Sequence, residues 1–397
     1  MSAANARETG LRIAYQRSVH RPKLTQQQLA DAARIHVGTL RKIERGARNA
    51  GDGVLVAIAD ALGIDMAILL GTHDRTTDRV RGALPVLSAV IAAYDLPDDG
   101  PVRPLAELRA AVADAAKKRL NAQYAAISKD IHVLLAELLR AFAQADGGDR
   151  PNIARLLVSA CRTADAMAFK FRAHDLSARL IELMRWAAPH TEDPLTGATI
   201  AYVRTETFFA ARAHDAGLRA LEHAIDHIPA PRSPEEFAAL GALHMRASVI
   251  AGRARVEDAA FRHLAEARGL AEAVPEGTYD GTAFGPDSVR IHEVSVAVSL
   301  GGDHTATALD VARRWKPDEE LPKERRSGFY IELARAQLWS ARSDDAYESL
   351  KSARRIAPLH TREHPWVRSD IATIRRLKRS GTEDLSSFAE WCHAGDS

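Results

Sequence analysis

At 397 residues the chain is too long for one small core, and two or three folded units are expected. Its 46% hydrophobic and 27% charged residues are ordinary globular usage, and its two cysteines, Cys161 and Cys392, exclude a disulfide scaffold and a cysteine-rich zinc site. The net charge of +2 is unevenly divided: residues 1–71 hold ten Lys/Arg against six Asp/Glu, leaving 44 against 46 for the rest. A basic excess confined to one domain suits a surface that meets phosphates. Residues 1–8 contain no apolar stretch of signal-peptide type, and runs such as Val133-Leu134-Leu135-Ala136 are far short of a bilayer span. A cytoplasmic, nucleoid-associated protein without membrane contact is expected.

In chain order, the first clear element begins at Thr25, an N-cap that forms a capping box with Gln28. Leu29, Ala32 and Ala33 then give the apolar stripe of a short helix. After a break at Arg34-Ile35, a second helix is predicted from Val37 to Arg45, closed by Gly46. Leu40 and Ile43 face inward, and His36, Gly38, Thr39, Arg41, Lys42 and Arg45 face outward. Two short helices joined by a tight turn, the second with a cationic face, have the dimensions of a major-groove reader.

Residues 9–71 resemble the phage-repressor (Cro-like) helix-turn-helix domains of the xenobiotic-response-element family. The residues that carry the likeness are Thr25-Gln26, Leu29-Ala30, Ala33, Ile35-His36, Thr39-Leu40 and Ile43-Glu44-Arg45-Gly46, followed by Leu55, Ile58 to Asp65 and Leu69-Leu70. The resemblance implies a five-helix domain over residues 1–71 that binds an operator in double-stranded DNA. It places Gln26 at a phosphate and Val37, Gly38, Arg41 and Lys42 at base edges. His36 and Thr39 fall near the backbone or a thymine methyl, and Arg45 and Arg48 at phosphates. Arg34 stands where the family has a left-handed glycine, and Gly38 offers no side chain, so readout leans partly on DNA shape.

Residues 72–78 are short and polar and are expected to be a linker, with a helical connector over 79–149 and a helical repeat array over 150–397. A small-residue and acidic turn recurs at Ala173-His174-Asp175, Ala213-His214-Asp215, Ala254-Arg255-Val256-Glu257, Gly301-Gly302-Asp303 and Arg342-Ser343-Asp344. The offsets of Ala334, Ala346, Leu350, Ala353 and Pro358 are similar to the tetratricopeptide pattern. That resemblance implies an all-α solenoid whose concave face holds a peptide or protein segment. As a whole the chain looks like actinobacterial regulators that fuse these two parts.

Among the aromatics, Tyr202, Phe209, Tyr279, Phe284 and Tyr330 are the candidates for ligand or partner contact, although most ring side chains of such an array are core. Tyr279 and Phe284 lie in the Gly/Pro-rich interruption at 275–287, which a plain insertion also explains. The pairs His223/His227 and His360/His364 have helical spacing but no third ligand in sequence, so no metal is expected. No serine elbow, phosphate loop or dinucleotide fingerprint occurs, so neither an enzyme nor a cofactor is expected. The C-terminal run Arg375 to Arg379 reads as a solvated helix face or a second basic patch. The expectation is a homodimeric, sequence-specific transcriptional regulator whose array senses a peptide, small molecule or protein. The alternative is an interaction scaffold whose helix-turn-helix domain recruits a partner rather than DNA.

Overall fold

A computed structural model describes residues 3–20, 22–64, 69, 75–378 and 383–394. The chain divides into two compact units, Met1–Asp78 and Arg79–Ser397. The architecture is all-α apart from one short hairpin, and among the described residues no helix is long and apolar enough to cross a membrane.

The first unit contains α1 (Ala3–Val19), α2 (Gln26–Ala32), α3 (Val37–Glu44) and α4 (Asp52–Leu62). Thr25 caps α2 with the reciprocal box to Gln28, and His36 caps α3, its Nδ1 accepting from the Gly38 amide at 3.0 Å. The turn between them passes through Arg34 at φ +53°, the left-handed conformation that the resemblance assigns to a glycine. Gly46, at φ +71°, ends α3, and a β-carbon there would lie 2.6 Å from the Arg7 backbone of α1. Ile13, Leu29, Leu40, Ile43, Leu55, Ile58 and Leu69 form the core. The expected fifth helix falls on residues 65–70, of which only Leu69 is described. It is helical and fully buried. Residues 72–74 of the expected linker also lie outside the described residues.

The second unit opens with α5 (Arg75–Ala92), whose first turn lies before the boundary, and continues as paired antiparallel helices. The pairs are α6 (Leu105–Leu120) with α7 (Tyr124–Gln144), α8 (Arg150–Lys170) with α9 (His174–Ala187), and α10 (Leu195–Ala211) with α11 (His214–Asp226). They continue as α12 (Pro234–Arg253) with α13 (Glu257–Ala271), α14 (Pro286–Leu300) with α15 (Thr305–Arg314), and α16 (Lys323–Trp339) with α17 (Ser343–Ile356). The short α18 (Pro358–Glu363), α19 (Pro365–Leu377) and α20 (Glu383–Trp391) follow. Ser233 starts α12 with a capping box to Glu236 and Pro234 in the first turn.

Within each pair the first helix ends on a left-handed residue: Ala122, Arg172, Arg212, Arg255, Gly301 and Ala341, all between φ +53° and +69°. In five of these turns a 6→1 hydrogen bond closes the helix, as in Ala173 N to Ala168 O and Arg342 N to Gln337 O, both part of a Schellman motif. The α6/α7 pair ends its first helix in the same left-handed way, and its Leu108, Tyr124, Leu135 and Leu138 share one continuous core with Leu157, Leu180 and Ile250. No break in packing falls at the expected boundary between residues 149 and 150. First helices of successive pairs pack side by side, α6 on α8, α8 on α10, α10 on α12 and onward to α16, and together they line a concave face.

The interruption at 275–287 holds the sheet, β1 (Gly277–Tyr279) paired antiparallel with β2 (Thr282–Phe284). Asp280 and Gly281 both have positive φ, +48° and +71°, as a two-residue type I′ turn requires. The Phe284 ring fills the space that a side chain at Gly241 of α12 would occupy: a β-carbon there would lie 2.0 Å from the ring. Glu276 caps α14, accepting from the Asp287 and Ser288 amides at 2.9 Å each.

Candidate nucleic-acid interface and concave cavity

In the first unit α3 is held by its last residue. Glu44 is buried and receives Arg17 through two hydrogen bonds, Nε at 2.7 Å and Nη2 at 3.1 Å, and the Gln26 side-chain amide at 2.6 Å. One carboxylate therefore ties α1, α2 and α3 together. Gln26 is engaged inside the domain through its side chain, which leaves the amides at the start of α2 as its means of meeting a phosphate. Close packing sets the crossing of α1 on α3, since a β-carbon at Gly10 would lie 2.1 Å from the Ile43 carbonyl.

The opposite face of α3 is open. His36, Arg41, Lys42, Arg45 and Arg48 are exposed, while Val37, Gly38 and Thr39 are half-buried. Arg41, Lys42 and Arg48 form no ion pair among the described residues, and Arg45 hydrogen-bonds only the Arg41 carbonyl, Nε to O at 3.2 Å. A β-carbon at Gly38 would sit 3.0 Å from His36 Nδ1, so the capping imidazole occupies the space beside this glycine. Arg41 and Lys42 thus stand on a helix whose inner face is locked by Leu40, Ile43 and Glu44, and Arg45 and Arg48 follow its end.

In the second unit the first helices of the pairs enclose a cavity of about 630 Å³, within the usual size for a small-molecule site. Its walls carry an unusual density of charge. Arg119 and Arg162 are 7% and 5% exposed, yet line it beside Lys170, Arg246, Arg253 and Arg325. Arg162 donates to the Asp280 carbonyl at 2.8 Å and to Thr282 Oγ1 at 2.6 Å, and Arg119 donates to the Gly281 carbonyl at 2.7 Å. The tip of the β-hairpin therefore rests on two buried guanidiniums.

The acids respond to these surroundings in different ways. Burial opposes ionisation of Glu324, but Lys170, His360, Arg325 and Arg119 overcome it and hold its pKa down at about 2. Burial raises Glu206 above the usual range, and burial together with Glu206 raises Asp165. Burial would also raise Tyr202, yet Arg246, Arg325 and Arg162 pull its phenol down to about 8, and Arg325 donates to its oxygen at 2.6 Å.

Of the candidate aromatics, Tyr202 and Phe209 line this cavity. Tyr279 is half-buried with its hydroxyl on the Pro275 carbonyl, Phe284 is wholly core, and Tyr330 packs edge-on to Phe329. The charged lining itself escaped the sequence reading. Its signal was the set of charged pairs at helical spacing within Ala-rich helices: Arg162/Asp165, Arg246/Arg253 and Arg325/Glu332. The two histidine pairs stand with ring centres 4.1 and 6.0 Å apart, and no metal-binding group of three or more His, Cys, Asp or Glu occurs among the described residues. Of the C-terminal basic run, Arg375 bonds the Ala394 carbonyl and Lys378 pairs with Asp344, while Arg379 lies outside the described residues.

Residues 22–69 match a family described as helix-turn-helix. The chain carries a helix-turn-helix domain at its N-terminus. No curated protein matches the chain. Two solved structures are similar to it, each 15% identical in sequence. One is PlcR of Bacillus thuringiensis in complex with the peptide PapR7 and DNA, covering 68% of this chain and 95% of that one with a TM-score of 0.32. The other is the apo form of the competence regulator ComR of Streptococcus vestibularis, covering 94% and 99% with a TM-score of 0.23.

Proposed function

We propose that the protein is a sequence-specific DNA-binding transcriptional regulator of the xenobiotic-response-element type, acting as a homodimer, whose helical array receives an effector. The observation that carries this reading is the open face of α3 in a domain of helix-turn-helix family. Arg41 and Lys42 are exposed on a helix fixed from behind by Glu44, and Arg48 is exposed just past its end; among the described residues none of the three forms an ion pair. Val37, Gly38, Arg41 and Lys42 meet base edges, His36 and Thr39 lie against backbone or a thymine methyl, and Arg45, Arg48 and the start of α2 at Gln26 hold phosphates. A dimer sets two copies of α3 one helical turn of DNA apart, roughly 34 Å, on an inverted repeat. The cavity in the second unit is the effector site, and Tyr202 and Phe209 supply its aromatic contacts.

The test is selection of DNA from a random pool by the full-length protein, with the winners titrated at several salt concentrations. An inverted repeat whose affinity falls steeply with salt supports the reading. Recovery of no motif, with binding absent or indifferent to sequence, overturns it in favour of a scaffold whose helix-turn-helix domain recruits a protein.

A further inference from the structure

One run of side chains along the concave face alternates rings with guanidiniums. Arg246 lies 4.4 Å from the Tyr202 ring centre and 6.0 Å from that of Phe209. Arg253 lies 5.4 Å from Phe209 and 4.7 Å from Trp366, and Arg335 caps the run 4.3 Å from Trp366. The order Tyr202, Arg246, Phe209, Arg253, Trp366, Arg335 draws on α10, α12, α16 and α19.

The three cations differ in how their charge is answered. Arg335 is gripped by Asp370, which accepts its Nη2 at 2.7 Å and its Nε at 3.3 Å. Among the described residues Arg253 has only the Ser299 hydroxyl, 3.3 Å from its Nε. Arg246 pairs with Glu206 no nearer than 3.7 Å, and its buried Nε has no hydrogen-bond partner among the described residues. A half-buried guanidinium normally takes a close carboxylate, because the water it has lost must be replaced by a partner. Stacking covers the flat faces of Arg246 and Arg253 and leaves their N–H edges, the part that grips a carboxylate or phosphate in a fork. Both line the cavity.

The nearby acids do not make up the deficit. Burial raises the pKa of Glu206 and of Glu332, and Glu332 takes the Ser295 hydroxyl. Glu324, which stays ionised, is engaged by Lys170 at 3.3 Å. The lining of this small-molecule-sized space holds eight arginines and lysines against five aspartates and glutamates, an excess of positive charge.

We infer that this cavity binds a small ligand carrying at least two anionic groups, carboxylate or phosphate, one received by Arg246 and the other by Arg253. The two arginines lie seven residues apart on α12, two turns or roughly 10.5 Å along the helix, and both tips reach the same ring, Phe209. That span suits two acids on one compact body. The Phe209 ring between them offers its surface to the ligand's apolar part. This inference rests on the reading of the cavity as an effector site and names the chemistry of the effector.

The test is calorimetric titration of the full-length protein with inorganic pyrophosphate, citrate and tetraglutamate, at constant ionic strength set with sodium chloride. Saturable binding of any of the three supports the proposal, and which one binds identifies the source as phosphate, small carboxylate or acidic peptide. Arg246→Gln and Arg253→Gln should each weaken binding about tenfold or more, since each removes a charged hydrogen bond. Arg185→Gln, which breaks an exposed pair with Glu182 on α9, should leave binding unchanged. Melting of the free variants separates a binding role from a structural one. Removing a cation held for a ligand should keep or raise Tm, whereas a cation needed for folding would lower it. Absence of binding by all three probes, or binding retained in both cavity variants, overturns the proposal. Operator affinity measured in parallel without anion tests the DNA-binding reading separately. Anion binding that leaves operator affinity unchanged keeps the ligand site and removes its effector role.

Discussion

Lys170 donates a hydrogen bond to Nε2 of His360, 2.8 Å away, and so decides where the imidazole carries its proton. An ammonium has no lone pair, so Nε2 must accept. The ring proton is then on Nδ1 and is donated to Ser327 Oγ at 2.7 Å, while the serine hydroxyl donates to the Glu324 carbonyl at 3.1 Å. A second proton on His360 would face the Lys170 ammonium.

The pH dependence of stability follows. Burial, then Lys170, lowers the His360 pKa to about 3, and burial, then Arg325, lowers His292 likewise to about 3. Unfolded, both titrate near 6.5. Below that pH the unfolded chain takes up protons that the folded chain refuses, so stability is full above about pH 6.5 and falls toward pH 3. Each histidine contributes a slope of at most about 1.4 kcal/mol per pH unit. Asp165 and Glu206, raised by burial, act with the opposite sign, so the informative comparison is between proteins rather than the absolute slope. Urea unfolding of His360→Gln between pH 5 and 6.5 should show a shallower decline than the unsubstituted protein. Parallel curves would refute this protonation scheme.

Arg34→Gly should stabilise the helix-turn-helix unit. Arg34 is exposed and held at φ +53°, a conformation costing a non-glycine residue roughly 1–2 kcal/mol, part of which the greater freedom of glycine in the unfolded chain offsets. A net gain of about 0.5–1 kcal/mol is expected by hydrogen exchange of α2 and α3 amides in the full-length protein. Faster exchange would show that the arginine side chain contributes a contact of its own.

Glu44→Ala should do the reverse and weaken DNA binding from behind the interface. It strips the partner from Arg17 and Gln26 and leaves the half-buried guanidinium unpaired, a loss of roughly 3 kcal/mol. Exchange protection of α1 and α3 should fall together. Loss confined to α3 would mean that the carboxylate does not join the helices.

Arg41→Ala leaves that scaffold intact and should cost roughly 1–3 kcal/mol on the selected operator, with little change on random DNA, because a base-reading arginine discriminates where a phosphate contact does not. Equal losses on both would assign Arg41 to the backbone.

Gly281→Ala should loosen the β-hairpin. The residue sits at φ +71°, and a β-carbon would lie 2.7 Å from Arg119 Nη2. Exchange across residues 277–284 should accelerate, corresponding to roughly 1–2 kcal/mol, with α2 and α3 unchanged.

The helix-turn-helix unit was legible because its signals are local: a capping box within four residues, an apolar stripe on each helix and a glycine stop. The array was legible as a recurrence, but the recurring feature was read one step late. The acidic residues that mark five of the turns follow the constant element, a left-handed residue that is glycine only at Gly301 and elsewhere Arg172, Arg212, Arg255 or Ala341, while at Ala122 no acid follows. Without glycine the conformation leaves no mark in the sequence. The hairpin left one, Asp280-Gly281 between Tyr279 and Thr282, which a two-residue turn explains better than a plain insertion. The cavity was not legible, since Arg162, Tyr202, Arg246 and Arg325 lie up to 163 positions apart and only the stacking of their helices brings them together.

The hairpin tip on Arg119 and Arg162 has a consequence for how the array comes apart. A stack in which each repeat touches only its neighbours can peel from either end, one unit at a time. Here Gly281 holds Arg119 across 162 positions, Lys170 reaches Glu324 and His360, and α6 packs on α16. These links are chords across the stack. An end cannot fray without breaking contacts at the far side, so the array should melt as one cooperative body, and an event in its cavity is felt along its whole length.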